Sequence, residues 1–328
     1  MSGDPDWSLR QEPGPEAPAA TPAGCGIAPG ALGHGHIRLA LAQWPVEPVA
    51  GLSAWGGKLD AWLSRAVAGG AQLAVLPEYV AVEVAAALSG HSPATEAQEL
   101  AAMVAAAPLV LDVLRQAAMR AGLWVLGGSL PMRDADGAIR NRAPLIAPDG
   151  RLATQDKSAM TRFERERWGV SSGAPPGVFD TPFGRIGVSI CYDVEFPKHV
   201  RTQAEAGAWL ILVPSCTDSM HGFNRVRFAA QARALENQCY VAVSPTVGMA
   251  PWSAALDSNR GLAAVFGPVD RGFPEDGILA QGALDRPQWV FAELDTHALD
   301  AVRADGAVRN FSDWPRRPFP ACSGKSFA

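Results

Sequence analysis

The feature that most constrains the fold is an alternation of short apolar runs with longer segments of helical periodicity. From Ile37 onward, the apolar runs are bounded by Gly, Pro or Asp, and between them lie segments in which apolar residues recur every three to four positions. This alternation is typical of strands and helices packed in layers, and hairpin signals such as Pro148-Asp149-Gly150 favour mixed sheets, so an α/β domain is predicted. The predicted strands are 37–43, 72–76, 123–127, 142–147, 186–190, 209–213, 240–243 and 289–294. The predicted helices are 53–68, 95–121, 197–206, 224–237 and 297–303.

The two ends of the chain lack this alternation. Residues 1–35 are rich in Pro, Gly and Ala and are predicted to form a flexible leader, because they cannot bury enough apolar surface to offset the entropy of ordering. Residues 36–312 are predicted to form the folded domain. The Pro-containing residues 313–328 are predicted to form an extended arm, of the kind that often lies across a neighbouring subunit, so a homo-oligomer is expected.

Charge and composition exclude several classes of partner. Lys and Arg total 28 against 33 for Asp and Glu, a formal charge of −5, which gives electrostatic capture of nucleic acid little to act on. There is no uninterrupted apolar run of about 18 residues, so no membrane span is expected. The polar start lacks the layout of a secretory signal, and we expect a cytoplasmic protein. The five cysteines are odd in number and lack metal-site spacing, so free thiols and no metal are expected.

Three residues whose side chains could take part in catalysis follow predicted strands or hairpins. Glu78 comes directly after the run LAVLP, Lys157 follows the hairpin at 148–150, and Cys191 ends the strand RIGVSI just before a helix. Ligands bind at the carboxyl ends of strands in open α/β sheets, and backbone N–H groups at a strand-to-helix turn stabilise a thiolate or an oxyanion. Taken singly, Glu78 could be solvated, Lys157 a surface charge and Cys191 a buried packing residue.

Together, the motifs around these residues resemble those of the nitrilase, or carbon–nitrogen hydrolase, superfamily. They are LPEY around Glu78, DKSAM around Lys157, ICYDVEFP around Cys191, and then GAWLILVPS and RALENQCYV. The resemblance covers about residues 37–312. It implies a four-layered α-β-β-α sandwich with a Glu-Lys-Cys triad.

The same resemblance implies a second glutamate between the lysine and the cysteine, with a glycine seven positions later. Glu166 and Gly173 have this spacing, so Glu166 is the predicted residue, expected to position the substrate nitrogen or the hydrolytic water. Glu164 is a near competitor in the same charged tract.

These residues suffice for amide hydrolysis without a cofactor. Cys191 is the expected nucleophile, Glu78 the general base and acid, and Lys157 with the N–H of Tyr192 the oxyanion site. Tyr192-Asp193 after the cysteine resembles the amidase and carbamoylase branches, since true nitrilases usually have Trp-Glu there. The predicted substrate is a small amide, with an N-carbamoyl compound or a nitrile as alternatives. The expected substrate-binding side chains are those of Tyr79, Met160, Phe163, Trp168 and Cys216.

Other readings of the same residues are weaker. A Cys-His hydrolase would require His199, the nearest histidine in sequence, which lies in the helix after Cys191 and not beside the thiol in sequence. A serine hydrolase would require G-x-S-x-G, but Cys191 occupies the place of the last glycine after Ser189. A non-catalytic binding or scaffold relative is the alternative from another class, and the intact triad argues against it.

Overall fold

The computed structural model describes residues 36–80, 82–90 and 95–315. The predicted leader and residues 316–328 lie outside them. The strands are β1 (His36–Pro45), β2 (Leu73–Val75), β3 (Trp124–Leu126), β4 (Leu130–Arg133), β5 (Ile139–Ile146), β6 (Leu152–Asp156), β7 (Val178–Thr181), β8 (Gly184–Val188), β9 (Leu210–Ser215), β10 (Tyr240–Met249), β11 (Ser258–Asn259), β12 (Ala264–Phe266), β13 (Ile278–Gln281) and β14 (Gln288–Asp295). The helices are α1 (Leu52–Ala68), α2 (Val82–Leu88), α3 (Glu96–Ala121), α4 (Arg162–Glu166), α5 (Pro197–Glu205), α6 (Met220–Asn237) and α7 (Thr296–Asp305), with a 3-10 helix at Cys191–Glu195.

The strands form two mixed sheets that are joined at one point. The first sheet has the order β4-β5-β3-β2-β1, with β6 paired to β5 and β14 antiparallel to β1. The second has the order β10-β9-β8-β7, with β12 beside β10 and β13 beside β12. The two sheets meet where Trp44 and Pro45 pair with Thr246 and Val247. The prediction of mixed sheets is confirmed.

Strand β1 shows how the layers pack, because its side chains alternate between two cores. Ile37, Leu39 and Leu41 belong to the core that also contains β9 and β10, between the sheets. Ala40 and Trp44 point the other way, into the core beneath α1 and α3. Helices α5 and α6 pack on β8 and β10 of the second sheet. The order of layers is therefore helices, sheet, sheet, helices, and the predicted four-layered α-β-β-α sandwich is confirmed.

Helix α3 has the length and composition of a membrane span, with 26 residues and a mean hydropathy of 1.6 over its most apolar window. The helix does not form an uninterrupted apolar run, because Asp112 and Arg115 lie within it. Only 39% of that window is buried, on the face that includes Ala106 and Val110 and packs into the core shared with α1. In this fold α3 is therefore an outer layer of the sandwich.

The topology places the ends of several strands at one edge. Strands β2 and β1 run parallel, as do β1 and β10, β10 and β9, and β9 and β8. Their carboxyl ends therefore face the same way, and Glu78, Cys191 and Cys216 follow the ends of β2, β8 and β9 within three residues. The start of the predicted arm packs against the folded domain of the same chain, since the Trp314 ring lies 4.8 Å from the Arg201 guanidinium.

Candidate active site

Glu78, Lys157 and Cys191 lie together in a buried cluster. Lys157 Nζ donates to Glu78 Oε1 at 2.8 Å, and the Glu78 carboxylate and the Lys157 ammonium both act on the Cys191 thiol through their charges. Glu78 and Lys157 are each 1% exposed and Cys191 is 5% exposed. Three residues from distant parts of the sequence are thus brought together in the arrangement that the motifs implied.

The prediction that Glu166 lies beside this triad is wrong, and Glu164 lies there instead. Lys157 Nζ donates to both Glu164 oxygens at 2.7 Å. Glu166 points to solvent, where it forms an ion pair with the exposed Arg162. In the short helix α4, residues two positions apart point to nearly opposite sides, so only one of the two glutamates can face inward.

The backbone holds Cys191 in an unusual conformation. Its φ of 47° lies in the left-handed region, which is uncommon for a residue with a side chain. The Cys191 thiol contacts the carbonyl oxygen of Cys216 at 3.7 Å, and Ser215 Oγ lies 3.5 Å from the sulfur. The side chain of Tyr192, the next residue, packs edge-on against Phe196. The predicted role of the Tyr192 N–H remains a prediction.

Neutral donors fix the orientation of the Glu78 carboxylate. Asn141 Nδ2 donates to Oε1 at 2.9 Å, and the backbone N–H of Cys216 donates to Oε2 at 3.1 Å. Asn141 also approaches Glu164 Oε1 at 3.4 Å. These hydrogen bonds hold the Glu78 carboxylate in one orientation, in which Oε1 accepts from Lys157.

The pKa values of the two carboxyl groups shift in opposite directions. Burial raises the pKa of Glu78, which the Lys157 ammonium offsets only in part. Burial also acts to raise the pKa of Glu164, but there the Lys157 ammonium outweighs it and lowers that pKa. For Lys157, burial acts against the charge, while the Glu164 and Glu78 carboxylates outweigh it and raise the pKa well above its usual value. Burial raises the pKa of the Cys191 thiol well above its usual value. Glu78 is therefore the carboxylate suited to exchanging a proton.

The predicted substrate-binding residues form an apolar wall. Phe163 packs against Trp168 with ring centroids 4.9 Å apart, and Tyr79 packs edge-on against Trp168 at 5.3 Å. Met160 and Cys216 belong to the same apolar cluster. The Tyr79 hydroxyl donates to Glu164 Oε1 at 2.7 Å, so its polar end supports the charged cluster.

A cavity of about 670 Å³ opens beside the cluster. Its lining includes Ser158 and Ala159, which follow Lys157, and Tyr192, which follows Cys191, but not the three triad side chains. Across residues 36–80, 82–90 and 95–315, no group of His, Cys, Asp and Glu side chains has the arrangement of a metal site.

Sequence patterns overlooked several residues that support the site. Asn141 was outside the predicted strand 142–147, although it shares the alternation that buries Ala143 and Leu145 in β5. Ser215 ends β9, and the motif GAWLILVPS gives no sign that its hydroxyl lies beside Cys191. A buried polar residue in phase with apolar neighbours is the signal that could have identified Asn141.

Comparisons with known proteins define the class. The carbon–nitrogen hydrolase family model matches residues 38–279. The chain is 31% identical to the probable hydrolase YhcX of Bacillus subtilis over 84% of the chain, but spans only 53% of that protein. It is 30% identical to the omega-amidase NIT2-B of Xenopus laevis over 83% of the chain and 94% of that protein.

Solved structures agree with this assignment. A cysteine-to-serine mutant of an amidase from Nesterenkonia sp. AN1, of the nitrilase superfamily, is 26% identical with a TM-score of 0.63, over 85% of this chain and 97% of that one. A cysteine-to-alanine mutant of that amidase in complex with butyramide is 25% identical with a TM-score of 0.64, over 84% and 97%. The fold and the site therefore define an amidase-like hydrolase of the nitrilase type. The chain belongs to the carbon–nitrogen hydrolase family.

Proposed function

We propose that this protein is a cysteine-dependent amidase that hydrolyses a small amide through a thioester intermediate. The observation that carries the proposal is the buried Lys157 ammonium, held between the Glu78 and Glu164 carboxylates beside the Cys191 thiol. Burial of three charges in one place is costly, and such clusters concentrate at functional sites.

In the first half of the reaction, the Cys191 sulfur attacks the amide carbonyl carbon while Glu78 takes the thiol proton. The oxyanion that forms is stabilised by the Lys157 ammonium and the N–H of Tyr192. When the tetrahedral intermediate collapses, the C–N bond breaks, Glu78 returns the proton to the departing nitrogen, and the acyl group stays on sulfur.

In the second half, Glu78 takes a proton from water, whose oxygen attacks the thioester carbon. Collapse breaks the C–S bond, releases the carboxylic acid and returns the proton to sulfur, which completes the cycle. Glu164 remains ionised throughout, because its pKa is lowered, and it holds Lys157 in place.

The apolar wall supports a small, uncharged acyl group as the part of the substrate next to the carbonyl. Met160, which packs in one apolar cluster with Phe163 and Trp168, lines the cavity and offers apolar surface to an aliphatic chain. Butyramide, bound by the Nesterenkonia amidase, is a compound of this kind. N-carbamoyl compounds and nitriles are the alternative substrates within the same family.

The test is ammonia release from a panel of aliphatic amides, ω-amides, N-carbamoyl amino acids and nitriles. Cys191→Ala and Cys191→Ser should reduce turnover on the order of 10⁴-fold or more while the fold is retained. Cys239→Ala is the matched control, since Cys239 is also a buried free thiol but immediately precedes β10, at the opposite edge of the sheet. Turnover by Cys191→Ala would contradict the mechanism, and a folded wild-type protein inactive on the whole panel would favour the non-catalytic relative.

A further inference from the structure

Asp193 is a buried carboxylate that the proposed mechanism does not use. It lies two residues after Cys191 and is 0% exposed. Its Oδ1 accepts the backbone N–H groups of Ser158 at 3.1 Å and Ala159 at 2.7 Å. Its Oδ2 accepts the N–H of Ile190 at 3.2 Å.

These three N–H groups belong to the two chain segments that carry the reacting residues. Ser158 and Ala159 directly follow Lys157, and Ile190 directly precedes Cys191. We propose that Asp193 is a positioning residue, which fixes the distance between the Lys157 ammonium and the Cys191 sulfur by holding both backbones on one carboxylate. The proposal deepens the amidase function proposed above and rests on it.

The topology explains why such a connection is needed. Lys157 follows β6, which pairs with β5 in the first sheet, whereas Cys191 follows β8, which pairs with β7 and β9 in the second sheet. The sheet ladders therefore do not set the separation of these two residues. Asp193 connects the two segments through its hydrogen bonds to Ser158, Ala159 and Ile190.

The conformation of Cys191 adds a second reason. A φ of 47° is unfavourable for a residue with a side chain and persists only where the surrounding structure imposes it. The bond from the Ile190 N–H to the Asp193 carboxylate holds the Ser189–Ile190 peptide, and the backbone N–H of Asp193 donates to the Ile190 carbonyl oxygen of the peptide immediately before Cys191. Loss of the carboxylate acceptor would let Cys191 relax and move its sulfur away from Glu78.

Two titratable groups, His199 and Lys157, act on Asp193, and neither takes its place as the acceptor of these three N–H groups. His199 Nε2 lies 3.7 Å from Oδ2, but burial lowers the pKa of His199 to about 4, so the ring is neutral near pH 7. His199 also contacts the Ser158 hydroxyl at 3.4 Å and the Ser189 hydroxyl at 3.0 Å. Burial raises the pKa of Asp193 to about 7, which the Lys157 ammonium offsets only in part, and that ammonium is itself held by Glu78 and Glu164.

The decisive variant is Asp193→Asn, which keeps the shape but replaces one acceptor oxygen by an NH₂ group that cannot accept a backbone N–H. We expect kcat to fall roughly 10- to 100-fold with little change in KM, because a small misplacement of reacting groups costs about that much. Alkylation of Cys191 by iodoacetamide, followed by mass spectrometry of the Cys191 peptide, should slow in parallel. Since alkylation requires no substrate, this readout remains informative even if the amidase proposal fails.

Asp270→Asn is the matched control. Asp270 also accepts backbone N–H groups, from Ala307 and Val308, but it follows β12, whose end pairs with the start of β10 at the opposite edge. Its loss should lower thermal stability and leave both rates unchanged. Asp193→Glu, which keeps the charge and misplaces it, should resemble Asp193→Asn.

Three results would overturn the proposal. A folded Asp193→Asn or Asp193→Glu protein with wild-type kcat and alkylation rate would show that the bonds do not set the geometry. Parallel losses in Asp270→Asn would show a general effect of stability on the rates. Failure of both Asp193 variants to fold would assign the residue to folding rather than to positioning.

Discussion

Replacing Glu164 by Gln should nearly abolish amide hydrolysis, whereas the same change at Glu166 should not. The side chain of Glu164 is 3% exposed and holds Lys157 through both oxygens, while that of Glu166 is 49% exposed. The two residues lie in one five-residue helix, carry the same charge and undergo the same substitution. Comparing the two variants therefore tests whether activity depends on where the carboxylate lies and not only on its being present.

The magnitudes follow from burial. Removing one partner of a buried ion pair costs about 3–5 kcal/mol of stability, toward the lower end here because glutamine keeps some of the hydrogen bonds. The Lys157 ammonium would also lose the group that fixes its direction, and loss of a positioning or general-base group slows a reaction about 10²- to 10⁴-fold. At Glu166, an exposed i,i+4 ion pair with Arg162 contributes about 0.5 kcal/mol or less.

The assay is steady-state and burst-phase ammonia release by both purified variants, with thermal unfolding measured on the same samples. The expected result is a folded, less stable and nearly inactive Glu164→Gln beside a Glu166→Gln that matches wild type in both respects. A Glu164→Gln enzyme with wild-type kcat would refute the reasoning. So would a Glu166→Gln enzyme that lost activity without unfolding.

Two further predictions concern the groups around the cluster. Tyr79→Phe removes one hydrogen bond to Glu164, so kcat should fall tenfold or more, in line with roughly 1.5–3 kcal/mol for a hydrogen bond to a charged group, and aromatic packing should be retained in the near-UV circular dichroism spectrum. The acid limb of kcat/KM should lie above the ordinary glutamate pKa of 4.5, because burial raises the pKa of Glu78 and only the ionised form can take the thiol proton; a limb at or below 4.5 would contradict this role.

The strands that carry the site could be predicted from sequence because their pattern is local. The apolar runs before Glu78 and Cys191 were placed within a few residues of β2 and β8, and the residues that follow parallel strands meet at one edge by geometry alone. The contacts of Asn141 and Asp193 could not be predicted in this way. Both side chains bond to groups brought close only by the folded sheets, and the local pattern does not specify those groups.

The choice between Glu164 and Glu166 failed for a different reason. The glycine in this spacing, Gly173, lies close to the end of β6. Its N–H donates to the carbonyl oxygen of Lys157, and an added Cβ would lie 2.0 Å from Asp156. That contact does not set the register of α4. The register is set by Thr161, whose side chain caps the helix while the Glu164 carboxylate accepts the Thr161 N–H at 2.9 Å. The sequence Thr-x-x-Glu is itself a capping-box pattern, so the signal was present.

In the proposed mechanism, the charges of the cluster allow a buried thiol to react without help from solvent. With Glu78 and Glu164 ionised, Lys157 protonated and Cys191 neutral, the group carries one net negative charge. Transfer of the thiol proton to Glu78 leaves that net charge unchanged, so forming the thiolate adds no buried charge and moves one by only a short distance. The opposite pKa shifts of the two carboxylates favour this route, because Glu78 accepts a proton more readily than Glu164. Lys157 then stays an ammonium beside Glu164, available to the oxyanion when negative charge moves from sulfur to the substrate.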